Sequence, residues 1–277
     1  MKLRFFDKRL LRKTGTFFLT IGTLIGIAAI FYGYLIEQHK LIILLSYFLI
    51  TILYHVVIYC YNKKLNNLTL EINNSTFIIK TGNIFEQSDL KVINFNEYFD
   101  TIVDDKIIAK NSLNGQFINK YVKDVDKLDS IITDSLKNHI FEINDKRPIG
   151  KKIKYILGSI VQYNDFILTS FTKFDKDNRA NTSLIDFLNF LMNFWDNLDK
   201  IYANRSVSIT LFGSSSLTRF RDVTNITEQD LIELIIWSFK VSKIKFKYPT
   251  TISMILPEEL LKKINLYDLK ERYKDGI

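Results

Sequence analysis

From Thr14 to Ile36 the chain runs for 23 residues without a charged side chain. At about 1.5 Å per residue such a helix covers the roughly 30 Å hydrocarbon core of a bilayer, so the run predicts a membrane span. After Glu37, Gln38, His39 and Lys40 a second apolar run extends from Leu41 to Tyr61, and four polar residues suit a tight hairpin turn. The expected layout is a basic arm over 1–13, a transmembrane helix pair over 14–62 with spans at 14–36 and 41–61, and a cytoplasmic domain over 66–277. A cleaved signal peptide is the rival reading. The run is too long for one, no A-x-A-like site follows it, and a second span comes at once.

Charge sets the orientation. Lys2, Arg4, Lys8, Arg9, Arg12 and Lys13 precede the first span and Lys63 and Lys64 close the second, against Lys40 alone in the loop. Basic residues are retained on the cytoplasmic side, so both termini are expected there. Against these nine cations stand only Asp7 and Glu37, so residues 1–64 hold +7 of the net +8 and the remainder carries +1. A nearly neutral body argues against an extended phosphate-backbone surface and a nucleic-acid partner. The single cysteine, Cys60, excludes an intramolecular disulfide and a CxxC site. Ten Gly and three Pro exclude collagen-like and linker-rich chains.

Two features of the spans stay open at this level. Gly15, Gly22, Gly26 and Gly33 recur near helical spacing; they either let helices approach closely, as in Gly22-x-x-x-Gly26, or reflect the ordinary abundance of glycine in membrane helices. His55 is either a proton relay or a neutral imidazole hydrogen-bonded between helices. Tyr32, Tyr34, Tyr54, Tyr59 and Tyr61 fit the interfacial aromatic belt.

Beyond Asn66 short β-rich runs alternate with amphipathic helices, the habit of an α/β domain. Strands are expected at Leu68–Ile72, Thr76–Lys80, Lys91–Phe95, Ile153–Gln162, Phe166–Thr172, Ser206–Phe212 and Thr251–Leu256. Helices are expected over Ser183–Tyr202, after Thr227, and over Val125–Ile140. Ser183 with Asp186, and Thr227 with Asp230, have capping-box spacing. The stripe Phe187, Phe190, Phe194, Trp195 reads as core.

Ligands collect at the carboxyl ends of strands in open α/β sheets, which directs attention to three loops: Thr81–Phe85, Asn94–Thr101 and Gly213–Phe220. The third, Gly213-Ser214-Ser215-Ser216-Leu217-Thr218-Arg219-Phe220, offers backbone N–H groups and hydroxyls to phosphate oxygens, with Arg219 adding charge-assisted bonds. A solvated turn with a surface Arg explains it equally well. Elsewhere, Gly82 also reads as a turn residue, Phe85 as core, Asp100 as a cap and Arg179 as part of a surface ion-pair group.

Gly82-Asn83-Ile84-Phe85 resembles the Gly-Asp-Ile-Phe signature of macro domains. The runs Asn96–Thr101, Phe171–Ala180, Leu191–Asp196, Phe212–Phe220 and Phe239–Phe246 are similar to the membrane-anchored macro-domain effectors of Thoeris antiphage defence, and the likeness covers nearly the whole chain. That resemblance implies a macro-like three-layer α/β domain with a mixed sheet, preceded by a two-helix transmembrane hairpin in a bacterial inner membrane. It implies an effector that senses an ADP-ribose derivative, of histidine-ADP-ribose type, made from NAD by a partner TIR-domain enzyme. Homo-oligomerisation, membrane disruption and abortive infection would follow.

By the same resemblance Gly82, Asn83 and Ile84 lie at the adenine, with Asn83 in place of the family Asp. Asn96 and Asp100 face the distal ribose. The loop Gly213, Ser214, Ser215, Ser216, Leu217, Thr218 and Arg219 wraps the diphosphate, with Ser215 and Ser216 where a further glycine is usual. The Asn-Ala-Ala-Asn of hydrolytic members is absent. With no metal spacing and His139 the lone histidine of the domain, binding without catalysis is expected, and no cofactor. The rival classes are a membrane-tethered ADP-ribosyl hydrolase and a structural membrane protein whose domain recruits a partner.

Overall fold

The computed structural model describes residues 3–72, 74–175, 177–214, 219–242 and 250–273. They fall into two compact units, one made of the chain up to Leu68 with a C-terminal segment from Lys262, the other running from Thr69 to Leu261.

In the first unit α1 (Lys8–Gln38) and α2 (Lys40–Lys63) form a hairpin turned at His39. Both are long and apolar enough to cross a membrane. The turn is tighter than the expected four-residue loop because both helices run on into the polar residues, and Lys40 pairs with Glu37 at 2.6 Å. Asp7 caps α1 by accepting from the Arg9 and Leu10 amides. Phe17 stacks on Tyr54 with ring centroids 4.0 Å apart, and the Tyr47 hydroxyl donates to the Phe18 carbonyl.

Of the four glycines only Gly22 meets the partner helix: a Cβ there would sit 3.0 Å from the Tyr47 hydroxyl, whereas Gly15, Gly26 and Gly33 have nothing within 4 Å. His55 is buried, with Nε2 2.9 Å from the Phe5 carbonyl and Nδ1 2.7 Å from the Thr14 hydroxyl. Both ring nitrogens are partnered, as the hydrogen-bonded reading of this histidine requires.

The C-terminal helix α8 (Leu266–Tyr273) completes this unit. Tyr267 packs with Leu3 and Leu10, against Ile58, Tyr59 and Leu65.

The second unit is built on a mixed sheet of β1 (Asn67–Ile72), β2 (Ser75–Thr81), β3 (Leu90–Asn96), β6 (Ile160–Tyr163), β7 (Phe166–Phe174), β8 (Ala180–Thr182), β9 (Val207–Ile209), β10 (Arg219–Phe220) and β11 (Thr251–Leu256). The order is β1-β2-β11-β9-β3-β7-β8-β10, with β6 also on β7. The five strands β2, β11, β9, β3 and β7 are mutually parallel. Helices cover both faces, which is why these strands read as near-continuous apolar runs. Ile93, Phe95 and Leu168 pack with Phe117 and Ile118 of α3 (Leu113–Tyr121) and with Leu128, Ile132 and Leu136 of α4 (Val125–Leu136).

On the other side lie α5 (Leu184–Ile201) and α6 (Glu228–Ser242). Phe171 meets Phe187 and Phe190, and Trp195 packs edge-on to Phe239 while donating to the Ser238 hydroxyl. The aromatic stripe is therefore core. Both expected caps form: Ser183 accepts from the Asp186 amide, and Thr227 and Asp230 exchange bonds in both directions.

Three expectations change. The strand Ile153–Gln162 is two, β5 (Ile153–Tyr155) and β6, because the chain turns at Gly158, whose φ of +84° and crowding against Phe190 and Phe194 suit only glycine. The helix expected to reach Ile140 stops at Leu136, and Ile140–Ile143 forms β4 against β5. The strand expected over Ser206–Phe212 keeps the sheet only at Val207–Ile209. Three short helices, α3, α7 (Glu258–Leu261) and α8, were not expected.

Candidate functional site

A cleft of about 460 Å³ opens at the carboxyl ends of β3, β7, β9 and β11. Its base is Asn94, Phe95 and Asn96 of β3 with Phe171, Thr172 and Phe174 of β7. Thr210, Leu211, Gly213 and Ser214 follow β9 on one side, and Ile255, Pro257 and Leu260 close the β11 end. The facing wall is the segment Ile107–Asn114 leading into α3.

That wall is shaped by local hydrogen bonding. Asp104 accepts from the Lys106 and Ile107 amides, and Asp105 from the Lys110 amide. These bonds hold both carboxyls below their ordinary range. Ser112 then caps α3 by accepting from the Gly115 amide at 3.2 Å. Gly115 permits the closeness: a Cβ there would sit 2.2 Å from the Ala109 carbonyl oxygen. The first turn of α3, with the positive end of its dipole, thus borders the cleft.

Among the described residues no ionisable side chain lines the cleft. Its polar groups are asparagine amides at 94, 96, 111 and 114 and hydroxyls at Ser112, Thr172, Thr210 and Ser214. One of them is conspicuous, for Asn94 Oδ1 is buried and has no hydrogen-bond partner among the described residues. An orphaned acceptor in a fold costs free energy unless a ligand donor or water completes it.

The residues singled out from the sequence divide. Asn96, Gly213 and Ser214 line the cleft. Asn96 spends its amide locally, accepting from the Tyr98 amide at 2.9 Å and donating to Asp100 Oδ2 at 3.0 Å. Gly213 has φ of +81°, and the Ser214 hydroxyl donates to the Leu211 carbonyl. Ser215, Ser216, Leu217 and Thr218 lie outside the described residues, as does the Arg219 side chain.

Gly82, Asn83 and Ile84 are not part of the cleft lining. Asn83 instead caps a single 3-10 turn, accepting from the Phe85 amide and donating to Glu86 Oε1. Gly82 donates to the Leu256 carbonyl, which ties this loop to the β11 end of the cleft. Ile84 is buried.

Asp100 also stands away from the cleft, contrary to the expectation that it faces a ligand. It is fully buried and accepts from Arg147 Nη1 and Nη2, the Lys151 amide and Asn96 Nδ2. Four donors saturate the carboxylate. Arg147 lies over the Tyr98 ring at 3.8 Å and also donates to Asn178, so the cluster holds the segments after β3, β4 and β7 together. Arg179 is exposed, 4.0 Å from Asp177, in a surface pair.

Glu97, beside Asn96, is buried and accepts from the Phe174 amide. Burial pushes its carboxyl above the ordinary range, opposed by that hydrogen bond and by Lys154, Lys173 and Arg147.

Sequence reasoning passed over Arg147, Lys151 and the wall from Ile107 to Asn114. Asn111 with Ser112 three residues ahead of Gly115 was the one local sign, that of a capped helix start.

Comparisons with known proteins bear on this geometry. The family model for the macro domain of Thoeris protein ThsA matches residues 78–257. The chain is 42% identical over 218 residues to Thoeris protein ThsA of Bacillus amyloliquefaciens (strain Y2), covering 77% of this chain and 73% of that protein. Among solved structures, a mutant Oceanobacillus iheyensis macrodomain with ADPR superposes with a TM-score of 0.50 at 12% identity, over 76% of this chain and all of that one. A second mutant macrodomain from that organism gives 0.49 at 11% identity, over 76% and 98%. At such identities the structural likeness speaks for the fold alone.

Proposed function

The chain belongs to the Thoeris ThsA macro-domain family, and on that premise we propose that it is a membrane-anchored antiphage sensor of an ADP-ribose-derived nucleotide. The signal is of histidine-ADP-ribose type, made by a partner TIR-domain enzyme. Binding in the cleft leads to homo-oligomerisation, and the α1–α2 hairpin then disrupts the bilayer, ending in abortive infection. Both termini are cytoplasmic in this reading, which gives the domain access to a cytosolic signal.

The observation that carries the proposal is the chemistry of the cleft. A volume of about 460 Å³ at the carboxyl ends of four parallel strands suits a dinucleotide-sized ligand. Its lining supplies neutral donors and acceptors: the first turn of α3, the Gly213–Ser214 backbone and the asparagine amides. Such a lining holds a diphosphate through oriented N–H groups. It offers no side chain able to act as general acid or base among the described residues, which supports binding without turnover.

Calorimetry of the full-length protein in lipid nanodiscs, titrated with ADP-ribose and histidine-ADP-ribose, tests the reading. Saturable binding with the ligand recovered intact is the expected result. Steady conversion of the ligand would assign the protein to the hydrolases. Binding of neither nucleotide would leave a domain that only recruits a partner. Reporter fusions at both ends test the topology, and a periplasmic signal at the C-terminus would overturn it.

A further inference from the structure

We propose that Arg4, Lys8, Arg12, Lys63 and Lys64 form a docking surface for the headgroups of anionic phospholipids, an inference that rests on the membrane placement of the hairpin. Asp7 is occupied in capping α1. Asp268 pairs with Arg9 at 2.9 Å and Glu271 with Lys13 at 2.7 Å, so α8 consumes two of the basic side chains and both of its own acids. Arg4, Lys8, Arg12, Lys63 and Lys64 are exposed, and none forms an ion pair among the described residues.

These five lie together because the hairpin is antiparallel. Phe5 meets the Tyr59 ring at 5.1 Å, and Lys63 Nζ lies 5.2 Å from the same ring. Lys8 and Arg12, four apart in α1, share a helix face distinct from that of Arg9 and Lys13.

Depth is set by the helices themselves. α1 is unbroken from Lys8 into the apolar run, so Arg12 stands about 3 Å and Lys8 about 9 Å along the axis from Thr14. Lys63 and Lys64 follow Tyr61 within about 5 Å. All are within about a Debye length of the headgroup layer, where Lys and Arg are drawn to anionic lipid. Phe6 and Tyr61, 75% and 69% exposed, add aromatic rings at the same level. Among the described residues Asp268 and Glu271 are paired and Asp7 alone faces five unpaired cations, so the surface keeps a net positive charge, and a phosphodiester headgroup is the anion that a hairpin in a bilayer meets there.

The experiment uses the full chain reconstituted in phosphatidylcholine bilayers with trace spin-labelled phosphatidylglycerol or spin-labelled phosphatidylcholine. The wild type is expected to favour phosphatidylglycerol by about threefold or more, and to lose the preference in about 1 M salt. K8Q/R12Q is expected to fall toward parity. D268N/E271Q releases Arg9 and Lys13, and its preference is expected to rise above the wild-type value. K127Q/K137Q, which removes two exposed cations at α4 and lowers the net charge as much as K8Q/R12Q does, is expected to keep the wild-type preference, and this separates a selective surface from a general effect of net charge.

Parity in the wild type, or an unchanged preference in K8Q/R12Q, would overturn the proposal while leaving membrane insertion standing. Recovery of the chain from the aqueous fraction would remove the membrane placement and this surface with it. Retention of an RNA oligonucleotide without any lipid preference would give the surface to nucleic acid instead.

Discussion

Arg147 closes on Asp100 with both terminal nitrogens, Nη1 to Oδ1 at 3.0 Å and Nη2 to Oδ2 at 2.8 Å, and both side chains are out of solvent, 4% and 0% exposed. Removing one partner strands the other charge in the interior, which typically costs about 3–5 kcal/mol. Asp100→Ala is therefore expected to lower the denaturant midpoint sharply, as followed by circular dichroism. The folded fraction should bind nucleotide with nearly unchanged affinity, because Asp100 does not line the cleft. A selective loss of affinity with stability intact would return Asp100 to the ligand site.

Asn94 gives the opposite pattern. Its Oδ1 is buried and unpartnered among the described residues, so the unliganded fold gains little from it. Asn94→Leu is expected to hold or raise the melting temperature of the unliganded protein, since an apolar group replaces an unsatisfied one. The same change should weaken nucleotide binding by about tenfold, the loss of one hydrogen bond made only with ligand. Differential scanning calorimetry with and without ADP-ribose reads both effects at once.

Gly115 is where the wall of the cleft is most sensitive to a single methyl group. With the Ala109 carbonyl oxygen 2.2 Å from the position of a Cβ, Gly115→Ala forces the loop and the start of α3 apart. The expected cost is about 1–3 kcal/mol in stability. Nucleotide affinity should fall as well, because the displaced segment lines the cleft. Urea unfolding and calorimetry on the same preparation check the pair.

The pH dependence of stability should carry a mark of Glu97. Burial raises its carboxyl in the folded protein above the ordinary value of 4.5. Folding thus favours the protonated form. The contribution is fully present below about 4.5 and is lost as pH rises through the higher folded-state value. Glu97→Gln keeps an acceptor for the Phe174 amide and cannot ionise. The variant is expected to be more stable than wild type at pH 7 and about equal near pH 4, measured by chemical denaturation across that range.

Lys13 and Glu271 join positions 258 residues apart in sequence, and Arg9 with Asp268 repeats the link one turn away. These pairs are partly exposed, so each is worth about 1 kcal/mol or less. D268N/E271Q should leave the global unfolding transition almost unmoved and raise amide exchange in α8, observed by mass spectrometry of the full chain. Unchanged protection in α8 would show that Tyr267 and its apolar contacts hold the helix alone.

The two apolar helices, the α/β alternation, the caps at Ser183 and Thr227 and the aromatic core of α5 were legible in the chain, because each is written in local periodicity and spacing. So was the end of the sheet at which the candidate cleft opens, since loops after parallel strands converge on one side of a sheet whatever their details. The inward amide of Asn94, the saturation of Asp100 by Arg147, the wall from Ile107 to Asn114 and the pairing of α8 with α1 were not legible. Each depends on residues far apart in sequence, and nothing in a local pattern ranks one long-range partner above another. Asp100 shows the difference most plainly: four residues after Asn96 it reads as either a cap or a ligand, and only the arrival of Arg147 and the Lys151 amide from about 50 residues away commits its lone pairs to the fold.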